Sequence, residues 1–306
     1  MNNSNAITNI RVIATLFIVF YHCCCPYTTW TTWGGYCVGN PINDILYWFT
    51  LDCVYDCMLP TFFILSGMVY FGRKECYADR IPAIWKKVDR LLIPFAIMVC
   101  VNLAFGVGNP AGGHLWFLKV LFGYFVISLL LYNIKEKWLL LLSICMHLIY
   151  MASLKNGLLS QMPEEVWRGL RYYLYFVIGH YANVYYNLLH RNTKAKLVVI
   201  LVAVLTLIFN NKIYTQFIYS LAFNAFLICF ISNEQCHSNL WRSLNTNSFA
   251  IYLLHHPFIL VLFTTPFFQY LYFTNAVFSI SLMFILSLSV SWLISIGLHR
   301  IGFRYF

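Results

Sequence analysis

Charge is what this sequence has least of: Asp, Glu, Lys and Arg together make up 10% of it, and only ten residues are acidic. Set against 61% hydrophobic residues and a mean hydropathy of +0.70, that scarcity excludes a soluble globular domain and points to a polytopic membrane protein. Equally missing is a signal peptide with a small-residue cleavage site, so the first span is expected to stay attached as its own insertion signal. No linker and no internal repeat interrupts the pattern. A single membrane-embedded domain over 1–306 is expected, with no appended soluble domain. The 11 cysteines follow no zinc spacing, so no metal is expected. Most read as small hydrophobes, with a Cys25–Cys37 disulfide conceivable on the non-cytoplasmic side.

What is present is a succession of apolar runs, each close to the roughly 20 residues that cross a bilayer. Candidate spans lie at 7–25, 43–71, 90–108, 114–133, 137–154, 171–188, 196–210, 213–232, 247–269 and 275–298. The cations test the orientation. With the N-terminus inside, the cytoplasmic segments hold 15 of the 20 Lys and Arg, among them Arg73, Lys86, Lys87 and Arg90. That bias fits an all-α bundle of about ten transmembrane helices with both termini in the cytoplasm.

The first span, NIRVIATLFIVFYHCCC from Asn9, carries Arg11 and His22. Eleven steps of about 100° return to within about 20° of the start, so both side chains share one helix face, about 16.5 Å apart along the axis. Ionisable groups at such depth suggest a pathway or an active site. Arg11 could equally be a snorkelling residue that sets orientation, and His22 a neutral histidine bonded to a neighbouring helix.

Other polar groups converge on the same region. Asp52 and Asp56 form an i, i+4 pair in the second span, ahead of Pro60 and Ser66-Gly67, where a close backbone approach is expected. Either carboxylate could orient His22, or pair with Lys119 for structure. His114 and Trp116 are expected near the outer surface, with Lys119 one to two turns deeper. His180 reads as structural. Counted from residue 247, His255 would lie about 12 Å deep. The uncharged loop with Trp30, Trp33 and Tyr36 suits an interfacial belt or a sugar platform. The basic loop from Arg73 to Arg90 suits a solvated cytoplasmic loop, or a polyphosphate ligand held by Lys86, Lys87 and Arg90. Nucleic acid is not expected.

Five motifs then fall in a recognisable order: Arg11-x-x-Ala14, with ten residues between Arg11 and His22, PTFFILSG with Arg73, KKVDRLLIPF, HLWFL and SFAIYLLHHP. Together they resemble the integral-membrane acyltransferase-3 family, bacterial enzymes of the inner membrane that O-acylate cell-surface sugars. The resemblance covers nearly the whole chain. It implies a bundle of about ten helices that transfers an acyl group, usually acetyl from acetyl-coenzyme A, to a hydroxyl of a carbohydrate or lipid-linked glycan. By motif, His22 is the implied catalytic histidine with Arg11 its partner. Ser66 and Arg73 fall in the second motif, Trp116 in the HLWFL motif beside His114, and His255 in the last.

The chemistry agrees with that implication. Transfer to a hydroxyl needs a base and charge stabilisation for the tetrahedral oxyanion. His22 could be that base, oriented by Asp52 or Asp56, or could carry the acyl group itself. Arg11, Lys86, Lys87 and Arg90 are the candidates for the coenzyme A phosphates, while His114, Trp116 and His255 are expected to face the acceptor. The partners expected are acyl-coenzyme A, the glycan acceptor and membrane lipids. A secondary transporter or flippase, and a sensor using the bundle as a binding shell, are the competing classes.

Overall fold

A computed structural model describes residues 4–25, 55–107, 109–208, 215–231, 233, 234, 236 and 238–305. Among the described residues there is no strand; the chain is all-α. Among the described residues, five stretches are long and apolar enough to cross a membrane: α1 (Ser4–Cys24), the turn and helix Gly113–Leu130, α6 (Glu136–Lys155), α10 (Asn239–Phe263) and α12 (Ala276–Arg300). Within Gly113–Leu130, α5 runs Trp116–Leu130. Between these lie α2 (Asp56–Phe71), α3 (Arg80–Lys87), α4 (Ile93–Ala104), α7 (Glu164–Arg191), α8 (Thr193–Ile208), α9 (Thr215–Phe230) and the short α11 (Pro266–Thr274).

The expected spans at 137–154, 196–210 and 275–298 coincide closely with α6, α8 and α12. The span expected at 247–269 is corrected at both ends. Its helix begins at Asn239, capped by Ser238, because the polar run NLWRSLNTNS is too hydrophilic for a hydropathy window yet bonds to α1. It stops at Phe263, where Thr264 and Thr265 turn the chain into α11 with Pro266 at its first position. Asp52, Cys37 and the aromatic loop from Pro26 lie outside the described residues, as does the first part of the span expected at 43–71.

The chain divides into two compact units. One comprises Met1–Ile7, Pro60–Ile97 and Ala111–Glu234. Its interior is aromatic: Phe63 of α2 stacks on Tyr172 of α7 at 5.1 Å, and Tyr124, Phe125 and Phe176 fill the space around Phe63 and Tyr70. Here α2 and α7 meet backbone to backbone at Gly67 and Gly179, where a methyl group on either glycine would strike the other helix's main chain. That contact matches the close approach expected at Ser66-Gly67.

The other unit comprises Thr8–Leu59, Met98–Pro110 and Gln235–Phe306. Val12, Val19, Cys23 and Cys24 of α1 pack with Leu244, Ile251 and Ile259 of α10 and with Ile280 and Met283 of α12. Polar rungs fix the register of α1 against α10. Trp241 Nε1 donates to Asn9 Oδ1 at 2.9 Å, Arg11 Nη2 donates to Asn245 Oδ1 at 2.7 Å, and His22 meets His255. Residue numbers rise together on both sides of the ladder. The two helices therefore run parallel.

Candidate active site

The third rung of that ladder is the chemically distinctive one. His22 Nδ1 lies 2.9 Å from the Ile18 carbonyl oxygen and 3.0 Å from His255 Nε2. His255 Nδ1 lies 2.9 Å from the Ile251 carbonyl oxygen. A carbonyl oxygen can only accept, so both Nδ1 atoms carry hydrogen. His255 Nε2 then offers its lone pair to the His22 Nδ1–H, and in the neutral His22 ring the lone pair sits on Nε2. Two carbonyls, each one helical turn back, thus select the tautomer of a pair 233 residues apart.

Burial separates the two rings. His255 is fully enclosed, whereas His22 is only half-buried. This corrects the expectation that His255 faces the acceptor: no part of its ring is accessible, and both of its nitrogens are engaged within the protein. Its depth is corrected too. With α10 starting at Asn239, His255 lies about 24 Å along its helix and His22 about 27 Å along α1, at 1.5 Å per residue. The second histidine of the doublet, His256, meets the His22 ring edge-on at 5.4 Å and was not singled out by pattern.

Arg11 shares the His22 face of α1, as its spacing requires, and its guanidinium is held by Asn245. The position of Asn245, ten residues before His255 on a parallel helix, is the signal that identifies it as the partner of Arg11. Asp56 opens α2 as a buried residue and lies within electrostatic reach of Tyr21, the neighbour of His22. At His22 Nδ1 lie the Ile18 carbonyl oxygen and His255 Nε2.

In the other unit, Ser66 is half-buried beside Gly67, and His114 and Trp116 are buried. Trp116 stacks on Tyr172 at 5.7 Å and carries the Arg168 guanidinium 3.9 Å from its centroid. Lys119 pairs with Glu165, and that ion pair holds the Glu165 carboxyl below its ordinary range. His180 packs edge-on against Phe71.

The basic loop sorts its cations by exposure. Arg73, Lys86 and Arg90 are exposed, whereas Lys87 is buried with Nζ 3.8 Å from the Phe125 ring centroid and 4.9 Å from that of Tyr77. Burial, reinforced by Arg90, pulls the Lys87 amine down to about 8. Of the three loop cations expected to hold phosphate, Lys86 and Arg90 are therefore open to an anion, and Lys87 is packed on aromatic faces.

Comparison with known proteins adds one match. A family model described as an acyltransferase domain covers residues 4–296. No curated protein and no solved structure matches the chain.

Proposed function

This chain belongs to the acyltransferase-3 family, and we propose on that footing that it is a membrane-embedded O-acyltransferase. It takes acetyl from acetyl-coenzyme A on the cytoplasmic side and passes it to a hydroxyl of a carbohydrate or lipid-linked glycan. The observation that carries the reading is the contact between His22 and His255, because it prepares one half-buried imidazole nitrogen for proton or acyl transfer.

Two routes use the same pair. In direct transfer, His22 Nε2 removes the acceptor hydroxyl proton as the oxygen attacks the thioester carbonyl, and the tetrahedral intermediate expels the coenzyme A sulfur, which takes that proton. In a relay, Nε2 itself attacks the carbonyl and the sulfur departs. His255 Nε2 then accepts the Nδ1 proton, leaving a neutral acyl-imidazole for the hydroxyl to attack. Either way the neighbouring ring spreads the charge that develops on His22.

The spacing along α1 suits the donor. From the phosphate oxygen to the sulfur, an extended pantetheine arm runs about twelve bonds, or about 15 Å at roughly 1.2 Å of advance per bond. Arg11 and His22 are separated by about 16.5 Å along their helix, so phosphate at one and thioester at the other is a comfortable span. Parallel α1 and α10 also agree with both helices rising from the cytoplasm.

Labelled acetyl-coenzyme A supplied to purified, reconstituted protein tests this. Wild type should release coenzyme A and transfer label to an added glycan, and His22→Ala should do neither. Label retained on wild-type protein would select the relay, and equal turnover by both proteins would remove His22 from the chemistry.

A further inference from the structure

One helix of the basic loop presents its apolar side away from the protein. In α3, Ala83 and Lys87 face inward one turn apart, with Lys87 seated over Phe125 of α5 and over Tyr77. Ile81 and Trp85, also one turn apart, point the opposite way, at about 200° around the axis. They are 70% and 67% exposed. Lys86 and Arg90 are exposed beside them, as is Arg73 just before the helix.

We propose that α3 is a membrane-surface helix, which lays Ile81 and Trp85 into the cytoplasmic leaflet and holds anionic phospholipid headgroups through Lys86, Arg90 and Arg73. Three observations converge on lipid as the occupant. The helix lies between the end of one apolar helix, Phe71 of α2, and the start of another, Ile93 of α4, which puts it at the level where spans emerge. Trp is the residue favoured at the headgroup boundary, where its ring has an apolar and a polar neighbour. The exposed cations flank the apolar pair, as they do in helices that lie in the plane of an anionic surface.

Coenzyme A offers these cations the same phosphate chemistry, but a soluble polyphosphate has no use for Ile81 and Trp85. The apolar pair is what commits the surface to a leaflet. The inference rests on the membrane-embedded reading above and not on acyl transfer.

The test compares the full chain with Trp85→Phe in vesicles; the difference in their tryptophan emission isolates Trp85. In phosphatidylglycerol brominated near the headgroup, that difference emission should lose most of its intensity, and acrylamide added to the water should leave it nearly untouched. Replacing phosphatidylglycerol by phosphatidylcholine should shift it to longer wavelength. Quenching by acrylamide without quenching by brominated lipid overturns the proposal. So does shielding from acrylamide without quenching by brominated lipid, which means that protein and not lipid covers the helix. Identical behaviour in the two lipids overturns the headgroup assignment. Total emission is the control: if brominated lipid quenches it while the Trp85 component is spared, the inference fails and the membrane reading stands. If neither is quenched, both fail.

Discussion

His22 Nδ1 stands 3.0 Å from His255 Nε2, and each ring is turned by a carbonyl oxygen of its own helix, from Ile18 and Ile251. Because α1 and α10 are parallel and also tied at Arg11–Asn245, the separation of the two rings is set by helix register. When one of the two contacts at His22 Nδ1 is removed, the other still holds the ring, so its orientation is loosened and not lost.

That redundancy predicts graded losses. His22→Ala should lower turnover by about 10²–10⁴-fold, the usual worth of a general base. His255→Phe removes the acceptor at Nδ1 but leaves Ile18. Turnover should fall by about 10–100-fold, as when an outer partner of a working histidine is lost. His255→Gln, whose side-chain oxygen can still accept, should recover part of the loss. Initial rates of coenzyme A release for the three variants check the order.

A different signature is expected at Asn245. The Arg11 guanidinium donates to it, and a hydrogen bond to a charged group is worth about 1.5–3 kcal/mol. Asn245→Ala should lower thermal stability accordingly. It should also raise KM for acetyl-coenzyme A with little change in kcat, because Arg11 is assigned to binding and not to the chemical step. A fall in kcat at unchanged KM would contradict that assignment.

Much of this was legible in sequence because a helix is a rigid ruler. The spacing of Arg11 and His22 sufficed to put them on one face, and the small pair Ser66-Gly67 to mark a close helix crossing. What the ruler does not give is which helix lies opposite. Nothing in the spacing of α1 announces the carbonyl and the second ring that meet His22 Nδ1, because one comes from its own backbone and the other from a helix 233 residues away. The polar start of α10 was missed for the related reason that hydropathy counts Asn245 and Trp241 against a span, although their polar atoms are paired with α1. Lys87 looked like Lys86 in sequence. Only the packing of α3 on Phe125 distinguishes them.

The crossing of α2 and α7 gives a steric prediction. A methyl group at Gly67 would sit 1.9 Å from the Phe176 carbonyl oxygen, and one at Gly179 would sit 2.4 Å from that of Ile64. Both obstacles are backbone, so the helices must part and the aromatic packing around Phe63 and Tyr70 must open. Either Gly→Ala change should cost about 2–4 kcal/mol. Gly123→Ala, in α5 with nothing within 4 Å of the added carbon, should be neutral or gain about 0.5–1 kcal/mol from reduced chain entropy. Thermal midpoints in one detergent compare all three.

Lys87 gives a pH dependence whose sign follows from its surroundings. Burial, with Arg90 adding to it, lowers the amine from its ordinary 10.5 to about 8, so between those values the unfolded chain holds a proton that the folded chain has released. Stability should therefore rise as pH increases through about 8, and below that the cost of burying the ammonium is fully present. The half-buried Tyr77 hydroxyl, which burial raises above its ordinary 10.0, acts in the opposite sense at higher pH, so the window for measurement closes near pH 10. Lys87→Met keeps the packing against Phe125 and Tyr77 and removes the titration. Thermal unfolding of wild type should show a positive slope with pH between about 8 and 10, and the variant should lose that slope. An unchanged slope in Lys87→Met would mean that the lysine keeps its charge in the fold, its aromatic neighbours offsetting the desolvation.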